Sequence, residues 1–216
     1  MSSIATTAAG DERAPEGSAP AVVLASASST RVMLLRNAGV SCLADAAAID
    51  EEEAKRALKA AGAKTGAAAE ALAELKAQKV SRRHGGALVV GADQILECAG
   101  SWLDKPAGLD EARAQLKALR GREHELVSAV AVVRDGARLW HHVDRARLRM
   151  RAFSDAFIES YLAALGPRAC GSVGAYQLEG LGAQLFERVE GDYFTILGLP
   201  LLPLLAFLRN HGVVPE

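Results

Sequence analysis

The chain has 216 residues, half of them apolar, with 25 Lys and Arg against 26 Asp and Glu and a formal net charge of −1. That length supports one substantial core, and the near-neutral charge excludes the basic excess that would draw the protein to polymeric nucleic acid or to an anionic membrane, so any anionic substrate must be met locally. Three scattered cysteines, Cys42, Cys98 and Cys170, offer neither a disulfide framework nor paired zinc ligands, and no apolar run reaches the roughly 18 residues of a spanning helix; a reduced, cytoplasmic setting is the expectation.

Residues 1–20 are rich in Ala, Ser, Gly and Glu and read as a disordered tail ahead of one domain over residues 21–216. Ala21-Val22-Val23-Leu24-Ala25 reads as a buried strand, Ser26-Ala27-Ser28-Ser29 as a loop, and the residues up to Gly39 as a helix. A serine-rich loop that opens a helix exposes backbone N–H groups at the positive end of the helix dipole, a natural seat for phosphate. Arg31 in the first turn opposes that dipole unless an anion is near, which points the same way.

Ala44 to Arg83 is Ala-, Glu- and Lys-rich and predicts two helices with a break near Gly62 and Gly66. Ala87 to Gly91 is a second buried strand, and Gln94 to Cys98 a third after a tight turn, which places Asp93 where strand meets turn. Glu111 to Arg120 is a helix that begins after Asp110 and ends before Gly121. Glu125 to Arg134 and Arg138 to Met150 form a hairpin about Asp135-Gly136, a dipeptide that suits the tight turns of right-twisted strands. Ser154 opens a helix to Leu165, Ala183 to Val189 is a strand, and Leu199 to Asn210 a last helix. Alternating strands and helices followed by hairpin strands predict an α/β fold around a mixed twisted central sheet flanked by helices.

There is no GxxxxGK[ST] loop; Gly180-Leu181-Gly182 lacks a third glycine, and His141-His142 has no ligand partner at helical spacing. The polar residues that remain are Ser26, Ser28 and Arg31, Ile49-Asp50-Glu51, Lys76, Gly91-Ala92-Asp93-Gln94, and Asp104-Lys105-Pro106. In this order they resemble the signature of the Maf family. Its loop reads S-x-S-P-R-R, its V-D-E matches Ile49-Asp50-Glu51, its K-A matches Lys76-Ala77, its G-A/S-D matches Gly91-Ala92-Asp93, and its G-K-P matches Asp104-Lys105-Pro106. Gly174-Ala175-Tyr176, Glu179-Gly180, Leu185-Phe186-Glu187-Arg188, Glu190-Gly191-Asp192-Tyr193 and Gly198-Leu199-Pro200 continue the likeness, which spans about Ala21 to Arg209. Ser29 stands where the family has proline, and Asp104 where it has glycine.

The resemblance implies a Maf/inosine-triphosphatase-like homodimer with its cleft beside the sheet. It also implies a nucleoside triphosphate pyrophosphatase that uses a divalent metal cation, Mg2+, Mn2+ or Co2+, and releases the monophosphate and pyrophosphate. Attack of water on an α-phosphate requires cations to neutralise the phosphates, a metal to clamp them and a carboxylate to take a proton. Lys76 and Lys105 suit the first task as mobile point charges, with Arg31 adding a planar fork. Asp93 is the general-base candidate, expected to project from the carboxyl edge of the sheet, and Glu51 the metal ligand; the two roles are exchangeable, and both carboxylates stand as candidate metal ligands.

Three positions divide the family by base. They are Arg, Thr and Gln in members resembling the thymidine/uridine triphosphate group and Trp, Gln and Glu in those resembling the 7-methyl-GTP group; here they are Thr30, Gln94 and Glu179. A carboxylate only accepts hydrogen bonds, which suits the adjacent N1–H and N2–H2 donors of guanine. His124 reads as structural, Glu187, Glu190 and Asp192 as capping, dimer or metal residues, and Arg145, Arg147, Arg149 and Arg151 as a solvated edge. Two other functions compete with the pyrophosphatase: a nucleotide-sensing regulator of cell division or septum formation without turnover, and a phosphatase that releases single phosphates.

Overall fold

The computed structural model describes residues 21–215; the tail expected over residues 1–20 lies outside them. In chain order the elements are β1 (Val22–Leu24), α1 (Ser29–Asn37), β2 (Leu43–Ala44), α2 (Glu51–Ala60), α3 (Thr65–Ser81), β3 (Leu88–Cys98) and β4 (Ser101–Leu103). They continue with α4 (Leu109–Leu119), β5 (Glu123–Arg134), β6 (Ala137–Met150), α5 (Asp155–Leu165), β7 (Phe186–Glu190), α6 (Tyr193–Ile196) and α7 (Leu201–Asn210). Short 3-10 turns occupy Gly166–Gly171, Val173–Ala175 and Leu181–Leu185.

The strands form one mixed sheet in the order β2-β1-β3-β5-β6-β7, with β4 added beside β3. Only β1 makes parallel pairs, with β2 and β3; the later strands are antiparallel. The fold is therefore α/β around a mixed sheet. Asp135 and Gly136 both have positive φ, 50° and 81°, as a two-residue turn between right-twisted strands requires.

Side-chain alternation along β3 sorts the core into two layers. Leu88, Val90 and Ala92 pack against α1 and α7, and further along the same face Leu96 packs against α4 and α5. Val89 and Ile95 face α3, whose buried side is largely alanine: Ala68, Ala69, Ala73 and Ala77 around Leu72. Small residues on α3 and a glycine on β3 let the two backbones approach closely. A Cβ at Gly91 would lie 2.0 Å from the carbonyl oxygen of Ala73 and 2.9 Å from the amide nitrogen of Ala77. This contact sets the height of α3 above the sheet, and Lys76 sits on the same stretch of helix.

β3 is one continuous strand where the sequence suggested two strands and a turn. Gly91, Asp93 and Gln94 look like turn residues, yet β5 pairs with β3 without a break from Val89↔Val133 to Glu97↔Glu125. Asp93 thus projects from the middle of a strand, not from a strand end. The strand expected over Ala183 to Val189 begins at Phe186, because the residues before it coil into a 3-10 turn.

Candidate active site

The cleft lies at a gap in the sheet. Along one edge of β3, β1 pairs up to Val90 and β4 from Leu96, so among the described residues no strand faces 91–95 on that side. Arg31 reaches into this gap from α1. Its Nη1 donates to the carbonyl oxygen of Ala92 at 3.0 Å and to Ser26 Oγ at 3.2 Å, and its Nε donates to the carbonyl oxygen of Gly198 at 2.8 Å. The fork expected to meet phosphate is thus largely engaged in tying β3, the first loop and the segment after α6 together. Burial draws the Arg31 pKa below the ordinary guanidinium value, with Asp93 and Glu51 opposing the shift.

The serine loop folds on its own side chains. Ser28 caps α1, its Oγ accepting from the Arg31 amide at 3.4 Å, while the Ser28 amide donates to Ser26 Oγ at 3.2 Å. Asp50 does the same for α2, accepting from the Glu53 amide at 2.9 Å. That cap starts the helix at Glu51 and turns its first residue toward the sheet.

Lys76 then stands between two carboxylates, 2.6 Å from Asp93 Oδ1 and 2.8 Å from Glu51 Oε2. Lys76 is 5% exposed and Asp93 3% exposed, so both charges are desolvated and each depends on the other. Asp93 Oδ2 is buried with no hydrogen-bond partner. An unpaired oxygen on a buried carboxylate is costly unless a ligand completes it. At Glu51 burial pushes the pKa up, but Lys76, Lys55 and Arg31 outweigh it and hold the carboxyl below its usual range.

Lys105 lies across the same cleft, and among the described residues no carboxylate lies within ion-pair distance of it. Burial lowers its pKa, the charges of Arg31, Lys76 and Lys55 lower it further, and Glu51 opposes them. Lys55 is a cleft residue that sequence reasoning missed. Its Nζ lies 2.7 Å from Asp104 Oδ1 and thereby links α2 to the Lys105 segment. Burial tends to lower the Lys55 pKa, but Asp93, Asp104 and Glu51 raise it on balance. One sequence signal was available: Glu51 and Lys55 are four residues apart and share a helix face.

Ser26, Ser28, Thr30, Arg31, Glu51, Lys76, Asp93, Gln94 and Lys105 all line this one cleft, of about 380 Å³. A smaller recess of about 60 Å³ opens beside it and is shared by Thr30, Gln94 and Glu179 with the loop around Ser172. The structure therefore gathers every candidate into two adjoining spaces. At Gln94, Nε2 donates to Ser128 Oγ at 3.0 Å and to the carbonyl oxygens of Thr195 and Ile196 at 3.1 and 3.0 Å. Ser128 itself donates to the Thr195 carbonyl at 2.8 Å, so its oxygen is free to accept. These partners fix the amide orientation and leave Oε1, an acceptor, as the end of Gln94 with no protein partner among the described residues.

The other groups singled out in the sequence have partners within the chain. His124 is buried, shares a 2.8 Å hydrogen bond with the Tyr176 hydroxyl, and is kept neutral by burial, which pulls its pKa down to about 4. Asp192 caps α6 by accepting from the Thr195 amide, Glu187 pairs with Arg149, and Glu190 with Arg188. Arg145 and Arg147 both reach Glu125, so the arginines along β6 face acidic neighbours on β5 and β7. Among the described residues no three His, Cys, Asp or Glu gather as a metal site, and no helix is long and apolar enough to cross a membrane.

Comparison with known proteins places this architecture in a family. The model of the Maf-like proteins matches residues 21–211. A protein from Paramagnetospirillum magneticum named nucleoside triphosphate pyrophosphatase is 56% identical over 88% of this chain and 98% of its own length. One from Rhizobium johnstonii named 7-methyl-GTP pyrophosphatase is 52% identical over 90% of this chain and 98% of its own. A third, from Rhodospirillum rubrum and named nucleoside triphosphate pyrophosphatase, is 53% identical over 90% and 96%. With a family model spanning nearly all the described residues and relatives that match along almost their whole length, the chain belongs to the Maf-like protein family.

Proposed function

We propose that the protein is a nucleoside triphosphate pyrophosphatase that prefers a guanine-type base. The observation that carries this reading is the buried Asp93 carboxylate, with one oxygen held by Lys76 and the other unpartnered in a cleft that also holds Lys55, Lys105 and Arg31. The relatives' names support the reaction class.

In this reading the triphosphate lies along the lysines, and Lys105, without a carboxylate partner, meets the charge that grows on the departing pyrophosphate. Asp93 Oδ2 takes a proton from the attacking water as a new P–O bond forms at the α-phosphorus and the bond to the bridging oxygen breaks. Lys76 holds Asp93 Oδ1 and thereby aims the carboxylate. Asp93 Oδ2 lacks a partner and Glu51 stands beside the same ammonium, so the two carboxylates fit a hard divalent cation completed by phosphate oxygens and water; where Asp93 Oδ2 holds it, Glu51 takes the proton instead. Such a cation, held by Glu51 and Asp93, would supply charge neutralisation and polarisation of the phosphate.

The base reading rests on Gln94 and Glu179, which both line the small recess and whose acceptor oxygens suit the adjacent donors of a guanine edge. Homodimeric assembly and a cytoplasmic location belong to the same proposal, the first resting on family membership and the second on three scattered, free cysteines. The test is turnover of GTP, 7-methyl-GTP, UTP and dTTP with Mg2+, Mn2+ or Co2+, with both phosphate products identified. Pyrophosphate with the monophosphate is expected; orthophosphate would make the protein a phosphatase, and no turnover of any triphosphate would leave a nucleotide-binding regulator.

A further inference from the structure

We propose that Gln115, a residue outside both the cleft and the recess, is a positioning residue that holds the phosphate side and the base side of the site in register. It sits on α4 and is 6% exposed. Its Nε2 donates to the carbonyl oxygen of Asp104 at 3.0 Å and to Glu111 Oε1 at 3.3 Å, and its Oε1 accepts from the Gly174 amide at 3.1 Å.

Each end of this amide grips a segment that carries part of the site. Asp104 immediately precedes Lys105 and pairs with Lys55 through its side chain, so the carbonyl held by Gln115 fixes the backbone from which Lys105 extends. Gly174 ends a short run, Gly171 to Val173, that forms wall common to the cleft and the recess. Gly174 has φ +76°, and a Cβ there would lie 2.6 Å from Leu96 Cδ1 and 2.7 Å from Tyr176 Cε1, so its backbone has one place to be. Among the described residues no backbone hydrogen bond joins the two segments. One buried side chain does, and a buried amide that loses a partner leaves a desolvated donor or acceptor behind.

The inference rests on the pyrophosphatase reading, and its test separates the two. Gln115→Glu keeps the acceptor toward Gly174 but cannot donate to Asp104 and adds a charge beside Glu111, so it should release the Lys105 segment alone. Gln115→Met removes all three bonds at similar volume. Specificity constants would be measured for GTP, ATP, CTP and UTP, with melting temperatures alongside. The Glu variant should lose about tenfold on all four while their ratios stay within about twofold, since only the common phosphate grip is loosened. The Met variant should lose more and bring the best and worst bases closer together. A residue that merely stabilises the fold would lower the melting temperature and leave the ratios alone in both. Unchanged constants in the Glu variant, or ratios that flatten as much with Glu as with Met, would overturn the proposal. If the Met variant does not fold, the Glu variant decides by its constants at a temperature where its melt shows it fully folded: a tenfold loss there supports the proposal and wild-type constants overturn it. A wild type inactive on these four and on 7-methyl-GTP and dTTP would remove the pyrophosphatase reading and this one with it.

Discussion

Gly91→Ala should damage catalysis without touching a polar atom. The new Cβ would meet the Ala73 carbonyl oxygen at 2.0 Å, whereas ordinary contact begins at 3.4 Å, so helix and strand must separate by about 1.4 Å or distort. The obstacle is backbone, which cannot turn aside as a side chain can. Overpacking of this kind costs about 1–3 kcal/mol, and at about 2–4 °C per kcal/mol for a chain of this size the melting temperature should fall by roughly 2–12 °C. Lys76 lies on the displaced turn and is 2.6 Å from Asp93, so a shift beyond 1 Å degrades the aim of the catalytic carboxylate. Misplacement on that scale can remove about 100-fold in rate, and a fall of 10- to 100-fold in kcat with KM little changed is expected. The assay is steady-state pyrophosphate release beside a thermal melt of each variant. Ala77→Gly in the same background should not restore activity, because the closest contact is with Ala73 oxygen and not with the Ala77 side chain. Wild-type kcat and melting temperature in Gly91→Ala, or rescue by Ala77→Gly, would refute the claim that this contact sets the geometry.

Asp93→Asn retains shape but removes the basic oxygen, and pyrophosphate release should drop by about 100-fold or more; a near-normal rate would dismiss Asp93 as the base. Lys105 has its pKa lowered from the usual 10.5, so its ammonium loses its proton, and the enzyme its rate, as pH rises through a value below 10.5. Lys105→Arg keeps the charge and should carry activity to higher pH; an alkaline limb identical in both proteins would show that Lys105 does not set it. Glu179→Gln replaces an obligate acceptor with a group that also donates and should shift preference from guanine- toward uracil- and thymine-type triphosphates. A uniform fall across bases, seen in the ratio of specificity constants, would mean that Glu179 supports the recess without reading the base.

Much of the scaffold was legible because its signals are local. Apolar runs marked β1 and the start of β3, Asp135-Gly136 marked the hairpin, and Ser154 marked the start of α5, whereas α4 begins at Leu109, one residue before the expected cap Asp110. What the chain concealed was non-local. β2 and β4 are strands of two and three residues that exist only through their partners, and neither carries a buried alternating pattern. The middle of β3 was misread because its composition answers to two neighbours far away in sequence: Gly91 to the α3 backbone, and Asp93 to Lys76. Residues of the site emerged from family likeness more than from spacing. Lys55 has only its spacing of four from Glu51 as a cue, in a helix where the other charges look equally solvated, and the fold is what reveals that it reaches Asp104. Gln115 was invisible for the same reason, since a glutamine inside an amphipathic helix gives no hint of the two loops it joins.

The gap along β3 also bears on how the protein avoids its own kind. An uncovered strand edge is a template on which another chain can pair, and natural sheets blunt such edges with charge, irregularity or cover. Among the described residues no strand covers 91–95 on the cleft side, so the cleft is at the same time a short stretch of adhesive sheet. Arg31 blunts it by occupying the Ala92 carbonyl with a cation that no incoming strand can replace without desolvating it further. The guanidinium that steadies the cleft thus doubles as a guard against strand addition, and loss of Arg31 should show in solubility as well as in turnover.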